Sequence, residues 1–143
     1  MRKIPTTLLR CDPTKDENAC GLLQMAHSVP SEILYAAYWY RSGTNETMRN
    51  HLKGIVSEAV GILAKENALV LDIGCNDGTL LNYYPKEFIK FGVDPSDVAQ
   101  EVKGDITVIQ DIFPSAELAT KAQGKRFDII TSIAVFYDLE DPV

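Results

Sequence analysis

The pattern of apolar and polar positions changes character near residue 67. Before it, Met48, Leu52, Ile55, Val56, Ala59, Val60 and Leu63 recur at helical spacing, which predicts one long amphipathic helix. Thr44 or Asn45 can cap its start, with Glu46 favourable in the first turn, while Gly54 and Gly61 weaken it slightly. After residue 67, short apolar runs alternate with polar patches. Ala68–Ile73, Phe88–Val93, Ile106–Gln110 and Phe127–Ile133 read as strands. Three helices are predicted between them: Thr79–Tyr84, stopped by Pro85; Ser96–Lys103, capped by Ser96 and ended by Gly104; and Pro114–Ala122, with Gly124 after it.

The four strand runs are apolar on both faces, the signature of a parallel sheet covered by helices. Right-handed crossovers then give a doubly wound α/β layout, with the first of these strands near the middle and the fourth at an edge. Three segments follow: 1–29, bearing two cysteines; 30–66, an aromatic linker and the long helix; and 67–143, the alternating strands and helices.

Composition narrows the function classes. A chain of 143 residues that is 45% hydrophobic and 24% charged can bury a core as about one domain. No uncharged stretch approaches a membrane span, and Arg2 and Lys3 precede no apolar run, so neither a membrane nor a secretory leader is expected. Three cysteines make no disulfide framework and suit a reducing compartment, with the cytoplasm as default. The net charge of −6 is uneven: residues 1–66 carry +1 and residues 67–143 carry −7. The second half lacks the basic footprint that phosphate backbones demand, which disfavours nucleic acid and favours a small neutral or cationic ligand.

The chemistry gathers at the predicted strand ends. Leu71-Asp72-Ile73-Gly74-Cys75-Asn76-Asp77-Gly78-Thr79 marks the turn out of the first strand, where Gly74 and Gly78 permit a tight turn and close ligand approach. Asp94 closes the second strand and can accept both hydroxyls of a ribose. Asp111 follows the third and can meet an adenine amino group. Taken singly, each is equally well explained as turn or capping chemistry. Taken in order, they form a row of acids along the carboxyl edge of the sheet, where open α/β sheets bind ligands. A dinucleotide oxidoreductase is the alternative, but its fingerprint needs a second glycine where Asn76 stands, and Asp77 would repel a pyrophosphate.

Leu71–Leu81 resembles motif I of class I S-adenosylmethionine (SAM) dependent methyltransferases, with Asn76 at the usual central glycine. In that form, D-I-G-C-N-D-G-T, it is similar to the deoxysugar C-methyltransferase-like subfamily. Cys20–Gln24, Val29-Pro30, Tyr38–Ser42, Asn45–Arg49 and Phe127–Pro142 resemble further segments of that subfamily. The resemblance implies a Rossmann-like fold, SAM as cofactor, and C-methylation of a nucleotide-linked deoxysugar or polysaccharide precursor. It implies that Asp72 and the loop Gly74, Cys75, Asn76 and Gly78 hold the methionine part of SAM. Asp94 would take the ribose, Asp111 and Ile112 the adenine, and Ser132 and Ala134 the sulfonium side. Tyr38, Tyr40 and Ser42 resemble positions near cofactor and substrate, although aromatics before a helix also commonly pack its end.

The resemblance also implies zinc, bound in that subfamily through two Cys pairs. Here Cys11 and Cys20 form one pair, separated by Asp12–Ala19. A structural zinc wants four ligands, and His27 and His51 are better read as ordinary histidines, so a vestigial half-site is expected. Cys75 reads as a small packing residue. The catalytic base is not identified, and the chain stops just after the fourth strand of a seven-stranded class of sheet. A truncated, inactive chain that self-associates through its exposed sheet edge is therefore expected. A non-catalytic SAM-binding partner module is the remaining reading.

Overall fold

In the computed structural model, which describes residues 5–35 and 37–138, the chain divides into two units, Met1–Pro30 and Ser31–Val143. In the first, β1 (Leu8–Arg10) pairs antiparallel with β2 (Leu23–Met25), with Leu8 opposite Met25 and Arg10 opposite Leu23. The stretch between them folds on its own aspartates. Asp12 Oδ1 accepts the N–H and hydroxyl of Thr14 at 3.0 and 2.7 Å, and Asp16 Oδ1 accepts the Asn18 N–H at 2.9 Å. These are Asx turns, in which a short carboxylate replaces a backbone acceptor. The sequence reading assigned no strands here, because paired leucines are too short a run to show alternation.

The second unit contains α1 (Ser31–Leu34), α2 (Glu46–Leu63), β3 (Leu69–Ile73), β4 (Ile89–Val93), β5 (Thr107–Ile109), α3 (Ala116–Ala122) and β6 (Ile129–Ser132). The strands form a parallel sheet in the order β5-β4-β3-β6, the α/β, Rossmann-like arrangement read from the sequence, with β3 inside and β6 at an edge. Residues alternate between faces along a strand. Leu69, Leu71 and Ile73 accordingly join Phe91, Val93, Ile109 and Leu118 of α3 in one core. Val70 joins Leu52 and Val56 of α2, with Leu81 and Tyr84, in the other. Burying a side chain such as Val70 or Leu81 contributes about 1.5–3 kcal/mol.

Asn45 caps α2 by accepting the N–H groups of Thr47 and Met48 at 2.8 and 3.4 Å. Two predicted crossover helices are shorter than expected. The chain after β3 makes only a 3-10 turn at Leu81–Tyr83. Asp77 takes the N–H and hydroxyl of Thr79 into a local turn, and Pro85 then leaves no room for a second helical turn. After β4 the chain makes a 3-10 stretch at Asp97–Glu101, because the Ser96 hydroxyl donates to Asp94 and caps nothing. Helix α3 begins at Ala116, two residues after Pro114, with Ser115 as its cap accepting the Leu118 N–H at 3.2 Å.

At the amino-terminal end of the sheet, Asp128 joins the starts of β3 and β6. Its backbone N–H donates to Leu69 O at 2.7 Å, while Oδ2 accepts the Leu69 N–H at 2.9 Å. Its Oδ1 accepts Lys65 Nζ at 2.6 Å. No helix among the described residues is long and apolar enough to cross a membrane.

Candidate functional site at the carboxyl edge of the sheet

The turn out of β3 is shaped by close packing. The N–H groups of Gly74 and Cys75 both donate to Val93 O, at 2.7 and 3.2 Å, which swings the chain across the end of β4. Gly74 has φ +75°, and a Cβ there would lie 2.2 Å from Val135 Cγ2. Only glycine meets both demands. Asn76 is also left-handed, at φ +51°, a conformation that asparagine tolerates better than most residues.

Asp94 stands one residue beyond β4 and is buried, yet it is well supplied with donors. Its Oδ2 accepts the Asn76 N–H at 2.8 Å, and its Oδ1 accepts the N–H and hydroxyl of Ser96 at 2.9 and 2.5 Å. A carboxylate offers about four lone-pair positions, so one or so remains for a ligand hydroxyl. Asp111 is exposed after β5 and accepts the Ile112 N–H at 2.8 Å.

These groups border a cavity of about 450 Å³. Of the residues singled out by sequence, Tyr40, Gly74, Asn76, Asp94, Asp111, Ile112 and Ala134 line it, as do Tyr38 and Ser42. Sequence reasoning missed Ser96, Phe113, Pro114, Val135 and Tyr137, which also face it. Their signal was adjacency to a strand end, but nothing in their residue types marks them. The tyrosines before α2 therefore line the cavity rather than only packing a helix end.

Asp72, Cys75, Gly78 and Ser132 lie outside the lining. Asp72 is buried on the Val70 face of β3, where the Thr131 hydroxyl donates to its Oδ1 at 2.7 Å. Burial, with a smaller push from Asp94, raises its carboxyl to a pKa of about 7. Tyr84 sits in the same core, and burial raises its phenol to about 12. Among the described residues its hydroxyl, near Thr131, makes no well-aligned hydrogen bond. The Cys75 thiol is driven up by burial and by Asp94 and Asp72, and it packs against Gly92, where a Cβ would come within 2.7 Å of its sulfur. That is a packing role, not a nucleophile's. Gly78 accommodates Val102, 2.7 Å from a Cβ built there. Among the described residues, the buried Ser132 Oγ has no hydrogen-bond partner.

In the first unit, the Cys20 thiol is held below the usual range by the Leu22 N–H and by Cys11. The two predicted metal positions are thus neighbours, while among the described residues no three His, Cys, Asp or Glu side chains converge on one point.

An open parallel α/β sheet, with a glycine-bearing turn after its inner strand and a cavity at its carboxyl edge, defines a Rossmann-like ligand-binding domain. Residues 44–143 match the family described as a methyltransferase domain, and the chain belongs to that family. Comparison with curated proteins gives no match. The chain resembles crystal structures of the plantazolicin methyltransferase BpumL. With the pentazolic desmethylPZN complex containing SAH, it shares 22% identity at a TM-score of 0.51, covering 70% of this chain and 40% of that one. With the triazolic complex it likewise shares 22% identity at a TM-score of 0.51, covering 70% and 40%. These likenesses establish the fold, and the chain spans less than half the length of these neighbours.

Proposed function

We propose that this domain binds SAM, and its demethylated product SAH, in the carboxyl-edge cavity. The observation carrying this reading is the character of the lining: Asp94 and Asp111 contribute carboxylates, and no Lys, Arg or His among the described residues faces the space. A dinucleotide pyrophosphate would meet acids and no cation there, whereas a sulfonium and an ammonium are attracted. The residues fit the group in other respects. The volume lies within the usual range for small-ligand sites, about 300–1,000 Å³. Ile112, Phe113 and Pro114 offer an apolar slot beside Asp111 for a flat base.

In this reading Asp94 orients the ribose, Asp111 and Ile112 the adenine, and Gly74 and Asn76 the methionine part. Asp72, Cys75 and Gly78 support that loop from behind. Ala134 borders the sulfonium side with Ser132 behind it, and Tyr40 contributes to the wall. Bound SAM would supply an electrophilic methyl group; the chain's own residues align it and exclude water. The acceptor we favour is a carbon of a nucleotide-linked deoxysugar or polysaccharide precursor, supported by the D-I-G-C-N-D-G-T loop and the matching segments around it. Cys11 and Cys20 offer half of a zinc shell, and the exposed edge of β6 offers a surface for self-association, which light scattering would detect.

Calorimetry with SAM, SAH and NAD tests the cofactor. Weak but measurable SAM and SAH binding with no NAD binding is expected, and a preference for NAD would overturn the assignment. Radiolabelled SAM with a panel of nucleotide-linked sugars tests the acceptor.

A further inference from the structure

The segment from Tyr38 to Gly43 is fastened to the turns after β3 and β4 by bonds that converge from several side chains. Asn76 makes two of them: its Oδ1 accepts the Ser42 N–H at 2.9 Å and its Nδ2 donates to Tyr40 O at 3.1 Å. Asp77 Oδ2 accepts the Gly43 N–H at 2.8 Å. Asp97 Oδ1 accepts the Tyr38 N–H at 3.1 Å. Arg41 forms a two-pronged pair with Glu101, its Nε and Nη2 donating to Oε2 and Oε1, and its Nη1 donates to Tyr38 O at 2.8 Å. Tyr38, Tyr40 and Ser42 bring this segment to the cavity wall.

Asn76 differs from the other fasteners. Its backbone N–H donates to Asp94, the residue lines the cavity, and its amide spans two residues of the segment. Its φ of +51° is one that glycine adopts without cost, so local backbone geometry alone does not call for a side chain here. What the side chain adds is a donor and an acceptor matched to a carbonyl and an N–H two residues apart. Glycine could supply neither.

We propose that Asn76 is a positioning residue that joins the turn after β3 to the tyrosine-bearing segment, so that a ligand seated against Asp94 orders Tyr38–Gly43, and loss of the amide loosens the whole segment. The first half concerns the chain alone; the ligand half rests on the SAM reading above.

The test is Asn76→Gly, a substitution the left-handed backbone accepts, followed by amide hydrogen exchange in the presence and absence of SAH. The Ser42 amide loses its acceptor directly and is uninformative. The deciding amides are Tyr38 and Gly43, whose acceptors are Asp97 and Asp77 and not Asn76. We expect both to exchange about tenfold faster in the variant, and SAH to bind about tenfold more weakly, the scale of one or two net hydrogen bonds. In the unsubstituted protein SAH should slow exchange at both. Asn76→Asp, which keeps an acceptor for Ser42 but cannot donate to Tyr40, should fall between. Faster exchange confined to Ser42 overturns the proposal, as does unchanged SAH affinity in the variant. If the unsubstituted protein binds neither SAM nor SAH, the cofactor reading falls, while the ligand-free exchange at Tyr38 and Gly43 still decides whether Asn76 holds the segment.

Discussion

The backbone N–H of Asn76 donates to Oδ2 of Asp94 at 2.8 Å, tying the turn after β3 to the end of β4. The carboxylate that we propose orients a ribose is thus also a structural acceptor for the loop beside it.

Two substitutions separate those roles. Asp94→Ala removes both and should weaken SAH binding by about 1–3 kcal/mol, as charge-assisted hydrogen bonds are lost. Asp94→Asn keeps one oxygen that can accept from Ser96 or Asn76, so its thermal stability should lie closer to that of the unsubstituted protein. Calorimetry showing unchanged affinity in Asp94→Ala would remove Asp94 from the ligand site.

Burial raises Asp72 from 3.8 to about 7. The folded state therefore holds a proton that the unfolded chain releases near pH 4. This group's contribution to stability is greatest below the unfolded pKa, falls as pH rises from about 4 to about 7, and is flat above that, a loss of a few kcal/mol. Asp72→Asn cannot ionise and keeps an acceptor for Thr131. Its stability relative to the unsubstituted protein should thus improve between about pH 4.5 and about pH 8 in matched urea titrations. A constant difference across that range would show that Asp72 is not buried as described.

Gly74→Ala adds a methyl group 2.2 Å from Val135 Cγ2 at φ +75°. Strain and overpacking together should cost about 2–4 kcal/mol, read as a fall in the denaturation midpoint. Val135→Ala in the same chain should recover part of that loss, because it removes the clash and leaves only the backbone strain.

In the half-site reading proposed above, Cys11 and Cys20 would supply two of the four ligands a structural zinc requires. Purified protein should contain well under one zinc per chain by elemental analysis. One tightly held zinc per monomer would require ligands beyond this pair and would prove the half-site reading wrong.

Much of the fold was legible because burial leaves a strong pattern. The runs that became β3 to β6 are apolar on both faces, and the long helix carries its stripe from Met48 to Leu63. The crossovers were less legible, since Asp77 and Ser96 act through side-chain bonds to Thr79 and Asp94 that no periodicity records. At the site, Asp94 and Asp111 could be placed because they follow strands directly. The wall made by Tyr38, Tyr40 and Ser42 could not be placed by pattern, because its position depends on contacts across 34 to 60 residues of chain. The same holds for Phe113 and Val135, apolar residues whose types suit a core as well as a cavity.

Asp128 lies at the opposite end of the sheet from the cavity, yet it acts on that cavity through strand geometry. By bonding Leu69 at both its N–H and its carbonyl, it indexes β6 against β3 before either strand has advanced toward the carboxyl edge. From there each residue carries the chain about 3.3 Å, so an error of one position at Asp128 would displace Ala134 by that distance and turn Ser132 to the other face. The placement of the β6 end of the cavity is therefore decided at the far rim of the sheet, by a residue that does not line it.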